Sequence, residues 1–351
     1  MLDISPTRTI PRLCLSALFV SLTFTVLAAS EPFRFDEKPE TTTLNLVEGN
    51  EPVFSYVYDV VVHEKVSEKD HRRTAGCYVH PLYGLNGEIL TDNVPGDHYH
   101  HHGIFWTWPY VGIHQPDGTV VQHDLWLGNT GLKQRFVRWL DRETTGENAT
   151  FAVENGWFIG HLAGTPVTEN DELVMKETVR ITVHRPKTDD GIRSRAVDFA
   201  FVWTPTEKPI TLRGADEKSY GGLAIRVRPY VEPGKNSAGP SEINVITVPS
   251  GPATTDLPDT PLAWADYTSR FGNDDKRSGV AVFIPKTHPD YPPSWLTRYY
   301  GPLCTGWPGI KGKTFQPGEE IKLNYRFWIH DGPVDVKQIE KAYSEYCAEN
   351  Q

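Results

Sequence analysis

Short strand-like runs, separated at close intervals by turn residues, constrain this chain more than any other feature. Alternating, β-branched or aromatic segments recur at 52–62, 119–127, 134–140, 150–153, 173–184, 196–203, 223–230, 279–284 and 320–330. Clusters of Gly, Pro, Asn and Asp stand between them, without the intervening helices that parallel strands require. The pattern predicts an all-β chain, an antiparallel β-sandwich. The 28 prolines and 29 glycines agree with many turns, and 10 Trp, 15 Tyr and 15 Phe are enough to build a core.

A single helix is expected, over 333–348. Asp335 and Gln338 stand at capping-box spacing, and Val336, Ile339, Tyr343 and Tyr346 recur with helical period. It should close the sandwich as a terminal clasp. Residues 31–42 read as a loose lead-in and 233–257 as a long loop. Glu177 and Arg180 read as a solvated strand face, and His184 and His330 as strand ends without companions. With no internal repeat, 30–351 reads as one domain.

Residues 1–29 have the layout of a secretory signal peptide: Arg8 and Arg12, then an apolar stretch from Leu13 to Leu27, then Ala28-Ala29 before Ser30. Its removal would change the net charge from −10 to −11. The expected location is therefore secreted or periplasmic. No later run approaches the roughly 20 apolar residues of a membrane span. An acidic chain without a basic stripe argues against nucleic acid as a partner. Cys77, Cys304 and Cys347 remain after cleavage, an odd number from which one pair could form.

The chemistry concentrates in Asp97-His98-Tyr99-His100-His101-His102-Gly103, which runs into Ile104-Phe105-Trp106. Extended geometry would put His98, His100 and His102 on one face and His101 on the other. Imidazoles grouped beside Asp97 suit a divalent metal or proton transfer near neutral pH. The plainer alternative is a polar strand end whose histidines bond to backbone.

This segment, with His80-Pro81-Leu82-Tyr83-Gly84-Leu85-Asn86-Gly87 before it, resembles a bacterial family of unknown function labelled "methane oxygenase PmoA". The resemblance continues through His123-Asp124-Leu125-Trp126, Tyr220-Gly221-Gly222 to Val227, and Trp264 to Tyr267. It extends through 278–283, His288-Pro289, Trp295, Arg298-Tyr299-Tyr300-Gly301 and the closing strand and helix. It implies a sandwich like the galactose-mutarotase supersandwich, and by analogy a sugar substrate. It places His98, His100 and His101 on the family's three histidines, which makes them the candidate metal ligands for one divalent ion of open identity. Asp124, Trp126, Arg226, His288, Trp295, Arg298 and Tyr300 fall on its other recurring positions. Tyr99 departs from the usual proline, His102 takes a variable position, and 111–121 is longer than usual. The absence of spanning segments excludes a membrane-embedded oxygenase subunit, whatever the label.

The leading expectation is a carbohydrate-active enzyme, a hydrolase, lyase or epimerase, acting on a small-molecule or oligosaccharide substrate. His98, His100, Asp124 and Tyr300 would be catalytic. Arg226, Arg298, His288, Trp126 and Trp295 would bind substrate through forked hydrogen bonds and ring stacking. Asp97 is the other candidate carboxylate, and Trp106 divides evenly between core and site. A non-catalytic carbohydrate-binding module and a copper- or iron-dependent oxygenase are the alternatives.

Overall fold

Period-two alternation along unusually long strands decides the architecture. In Glu172–His184, Met175, Val179, Ile181 and Val183 are buried while Lys176 and Arg180 are exposed. A strand that hides one face this completely needs a second apolar layer against it. The computed structural model, which describes Met1 and residues 32–160, 171–272 and 275–350, supplies that layer. Apart from Met1, the proposed signal peptide lies outside the described residues.

Two large antiparallel sheets face each other. One runs, in spatial order, through Phe33–Lys38, Thr43–Glu48, Glu51–Val57, Tyr78–Leu82, Ile104–Thr107, Gly222–Arg226, Pro302–Gly306, Ser294–Thr297 and Leu257–Pro261. The other runs through Leu132–Thr144, Asn148–Ile159, Glu172–His184, Ile192–Pro205, Ile321–Asp331, Ser278–Phe283, Trp264–Ser269, Val245–Val248 and Gly251–Pro252. Rings from the two inner faces interlock, Phe54 with Phe151 at 6.1 Å and Trp106 with Phe201 at 4.9 Å between centroids. A smaller sheet of Lys313–Phe315, Ile210–Arg213, Tyr110–His114 and Val120–His123 lies beside them. The chain is therefore an all-β antiparallel sandwich with a C-terminal helix, as the turn-punctuated pattern predicts.

The helix, Val336–Glu349, begins where expected. The Asp335 carboxylate accepts from Gln338 N–H at 2.9 Å and the Gln338 side chain accepts from Asp335 N–H at 3.0 Å. Ile339, Tyr343 and Tyr346 bury against Trp264, Ala281, Phe283 and Trp328 of the second sheet. Among the described residues no helix is long and apolar enough to cross a membrane.

Several local readings are corrected. The lead-in is an edge strand, because the alternating Phe33 and Phe35 give 33–38 an apolar face and Phe35 packs edge-on to Phe151 at 6.0 Å. The expected long loop holds the strand Val245–Val248, anchored by buried Ile246 and paired to Trp264–Ser269. His184 pairs with Asp198 at 2.8 Å, and buried His330 with buried Asp266 at 3.0 Å, so neither lacks a companion. Cys77, Cys304 and Cys347 are all buried and free.

The largest correction concerns Glu177. It shares the inward face of its strand with Met175 and Val179, and it is fully buried. Arg180, an odd number of residues away, points to the other face. The Glu177 carboxylate instead accepts from Trp106 Nε1 (2.9 Å), Asn155 Nδ2 (2.8 Å), Gln134 Nε2 (3.0 Å), Trp157 Nε1 (2.9 Å) and Trp203 Nε1 (2.8 Å). Every partner is an N–H donor, so both oxygens act only as acceptors. Replacing Glu177 by Gln turns one acceptor into an amide that faces donors. The expected cost is about 2–4 kcal/mol of stability, read as a lower denaturation midpoint at neutral pH. An unchanged midpoint would contradict the assigned bonding.

Candidate functional site

The histidine segment is a pair of turns and not a strand. His98 N–H donates to Pro95 O (3.0 Å), His101 N–H to His98 O (3.1 Å) and Val94 N–H to His101 O (2.8 Å). Gly103 ends the turn at φ +38°, where a Cβ would lie 2.0 Å from the Val79 carbonyl oxygen. Only glycine fits that approach. Turning the chain here breaks the period-two arrangement. His98, His100 and His101 come together, with centroid separations of 4.7 Å (98–101), 4.7 Å (100–101) and 5.6 Å (98–100). His102 is directed elsewhere, its Nδ1 2.9 Å from Asn93 Oδ1 and its ring stacked on His63. The face expected from simple alternation, with His102 in and His101 out, is corrected.

Arg226 holds this turn from below. Its backbone N–H donates to Gly103 O at 2.7 Å, and its buried guanidinium donates to both Asp97 carboxylate oxygens at 3.1 Å. A second guanidinium nitrogen lies 3.2 Å from His101 Nδ1. Arginine only donates, so His101 Nδ1 is the acceptor and its proton belongs on Nε2. Burial, with the charge of Arg226 and the neighbouring imidazoles, holds His101 well below the usual histidine range. Burial also pushes His100 down to about 4. Burial alone would raise Asp97, but Arg226 and His98 outweigh it, and the carboxyl lies below its ordinary value.

Tyr300 stacks on His98 at 5.0 Å and its ring lies 4.8 Å from the Arg226 guanidinium carbon. Burial pushes its phenol up to about 12, so it is a proton donor at neutral pH. A cleft of about 200 Å³ opens over these groups, lined by His98, His100, His101, Tyr300, Arg298 and Lys218, with Trp126 and Tyr220 at its aromatic side. No aspartate or glutamate lines it. Arg298 is half-exposed and paired with Asp256 at 3.1 Å.

Of the expected site residues, the fold gathers His98, His100, His101, Trp126, Arg298 and Tyr300, with Arg226 beneath them. Asp124 lies apart as a turn cap, accepting from Leu127 N–H at 2.7 Å. His288 packs against Trp307 and Tyr325, and Trp295 is fully buried with its Nε1 donating to Leu262 O at 2.9 Å. Trp106 is a core residue, bound to Glu177. Lys218 and Tyr220 line the cleft without having been singled out, although the Tyr220-Gly221-Gly222 motif runs beside Lys218. Among the described residues no three His, Cys, Asp or Glu side chains are disposed to hold a metal ion. The coordinating lone pairs of imidazole lie in the ring plane, and His98 and His101 are stacked with only 13° between planes.

His63, His80 and His288 are each pushed by burial from 6.5 to about 4. Between those values the unfolded chain binds more protons than the folded one, so stability falls as pH drops through that window. Denaturation midpoints measured from pH 7 to pH 4 should decline steadily. A flat profile would mean that these imidazoles are protonated when folded.

The model of a family of unknown function, DUF6807, matches residues 43–344, and nothing in that match points to methane oxygenation. No curated protein matches by sequence. Among solved structures, the chain is similar to a doubly substituted GH36 α-galactosidase AgaA from Geobacillus stearothermophilus in complex with raffinose. That match has 9% identity and a TM-score of 0.35, and covers 85% of this chain and 40% of the enzyme. The chain thus spans less than half the length of that protein. With most of its length matched, the chain belongs to the DUF6807 family.

Proposed function

We propose that this chain is an exported carbohydrate-active enzyme that moves protons on an anionic sugar, as a lyase or epimerase. The observation that carries this reading is the cleft itself, lined by imidazoles, a phenol and two cations, with no carboxylate. Glycoside hydrolysis of the usual kind needs two carboxyl groups flanking the bond. Within the hydrolase, lyase and epimerase set, this lining favours proton transfer next to a substrate carboxylate.

Arg298 and Lys218 would hold that carboxylate, and Trp126 and Tyr220 would pack on the sugar ring. His100 is the base. Burial keeps it neutral in the free protein, and a bound anion nearby raises its proton affinity at the moment a base is needed. It takes the hydrogen from the carbon beside the carboxylate. In a lyase the freed electron pair forms a carbon–carbon double bond as the bond to the leaving oxygen breaks, and Tyr300 protonates that oxygen. In an epimerase the Tyr300 phenol would deliver a proton to the opposite face of the carbon, and exchange with solvent would then deprotonate His100 and reprotonate Tyr300. Arg226 and Asp97 position the histidine turn.

A metal-assisted form has its own support, because His100 Nδ1 is buried without a hydrogen-bond partner, while His98 Nδ1 lies 3.0 Å from Asp97 Oδ2. His98, His100 and His101 would hold the ion, after His98 turned out of its stack, and the ion would offset substrate charge. Elemental analysis after metal reloading separates the two forms. Near-stoichiometric metal, lost in a folded His98→Ala/His100→Ala protein, would assign the ion, and its absence from both would leave acid–base chemistry alone.

The main test is a screen of uronate-containing and neutral glycans, followed by ultraviolet absorbance of unsaturated product and by sugar analysis for epimers. Turnover is expected only with the acidic glycans, and His100→Ala and Tyr300→Phe should each lower kcat by about 100-fold or more. Turnover of neutral glycans, or variants as active as the parent, would overturn the reading. Binding without turnover would make this a carbohydrate-binding module, and consumption of oxygen would favour the oxygenase alternative.

A further inference from the structure

A second cavity, of about 60 Å³, lies against the cleft, and His100 and Trp126 line both. It too has no aspartate or glutamate in its wall, yet Lys133 and Arg72 are both there. Arg72 is neutralised by Asp70 through bonds of 2.9 and 2.6 Å. Lys133 is not. It is half-buried on the strand Leu132–Thr144 and makes no hydrogen bond or ion pair with the described residues. Its ammonium lies over Gly128, where a methyl group would come within 2.5 Å of Nζ, so the backbone makes room for the charge. Two further polar atoms of the same wall, Thr107 Oγ1 and His100 Nδ1, are buried without a hydrogen-bond partner.

Two orphaned buried polar atoms are each costly, and the half-buried Lys133 ammonium beside the same space has no counter-charge. Burial lowers the proton affinity of Lys133, and no acidic side chain offsets it. A small group with negative charge and several acceptor oxygens would meet the ammonium, with Thr107 and His100 in the same wall. We infer that this cavity is an oxyanion site, taking a sulfate, phosphate or carboxylate group on Lys133 with Thr107 and His100 as its hydrogen-bonding neighbours. Because His100 and Trp126 form the partition, the natural source of the group is a second anionic substituent of the sugar bound in the cleft. A free inorganic anion is the other source. The substrate part of this inference rests on the reading proposed above; the oxyanion part does not.

The probe is inorganic sulfate, titrated at constant ionic strength against chloride, with melting temperature and calorimetric heat as readouts. Sulfate is expected to stabilise the parent protein saturably, with Kd weakened at least tenfold in Lys133→Met and several-fold in Thr107→Val. Without sulfate, Lys133→Met should melt at or above the parent, since it removes an unpaired, half-buried charge. That also shows that the variant is folded. A sulfate response that never saturates, or one equal in the parent and Lys133→Met, overturns the site. If it stands, sulfate should compete with an acidic glycan in the parent and lose that effect in Lys133→Met. Saturable sulfate binding without such competition would leave a free-anion site and overturn only the substrate part. Failure of turnover in the glycan screen, with sulfate binding intact, would count against the cleft reading alone.

Discussion

The carboxylate of Glu177 is the interaction on which the rest depends. It sits in the middle of the sandwich and takes hydrogen bonds from four side chains of its own sheet and from Trp106 of the opposite one. Gln134 extends the tie by donating to the Trp106 carbonyl at 3.2 Å. Dispersion and apolar burial hold two sheets together without choosing their exact offset. Five directed donors on one buried carboxylate do choose it, because any slip leaves several of them unpaired. Trp106 lies on the strand that leaves the histidine turn, and Gln134 adjoins Lys133. The tie that sets the sheets in register therefore also sets the two walls of the site.

The site repeats that arrangement with the signs reversed. A buried guanidinium, Arg226, gathers Asp97, the His101 imidazole and the face of Tyr300 around itself. The strand Gly222–Arg226 pairs with Ile104–Thr107, so the residue that orients the turn is delivered by the neighbouring strand. With Asp97 engaged below, the cleft above is left with imidazoles, a phenol, Arg298 and Lys218. On a chain of net charge −10, this cleft has no carboxylate in its lining, although Arg298 keeps its pairing with Asp256 beside it.

The strands and the helix were legible in the sequence because their signals are local. Alternation over 173–184 and 196–203, and the Asp335–Gln338 cap, report the exposure of a segment whatever it packs against. The same locality misled at Glu177, whose companion looked to be Arg180. Three residues along a strand reverse the face, and the true partners come from positions as distant as Trp106 and Trp203. It misled again at the histidines, where an assumed strand favoured His102 over His101. The resemblance to the PmoA-labelled family favoured His101, and the turn brings His101 beside His98 and His100. Among the remaining candidates, Asp124, His288 and Trp295 recur in the motif yet stand apart from the cleft.

What the sequence determined by itself is the antiparallel sandwich, the closing helix and the residue types brought to the histidine turn. These follow from periodicity, turn chemistry and capping, which act over a few residues. What only the tertiary structure decided is which of those residues share a space. Lys218 lines the cleft and Lys133 the cavity beside it without either belonging to a motif, and Glu177 became the centre of the core through donors on four strands. The physical reason is that a charge is given its role by what surrounds it. Whether a carboxylate is solvated or saturated with donors, and whether an ammonium is paired or alone, depends on contacts between segments as far apart in sequence as Asp97 and Arg226.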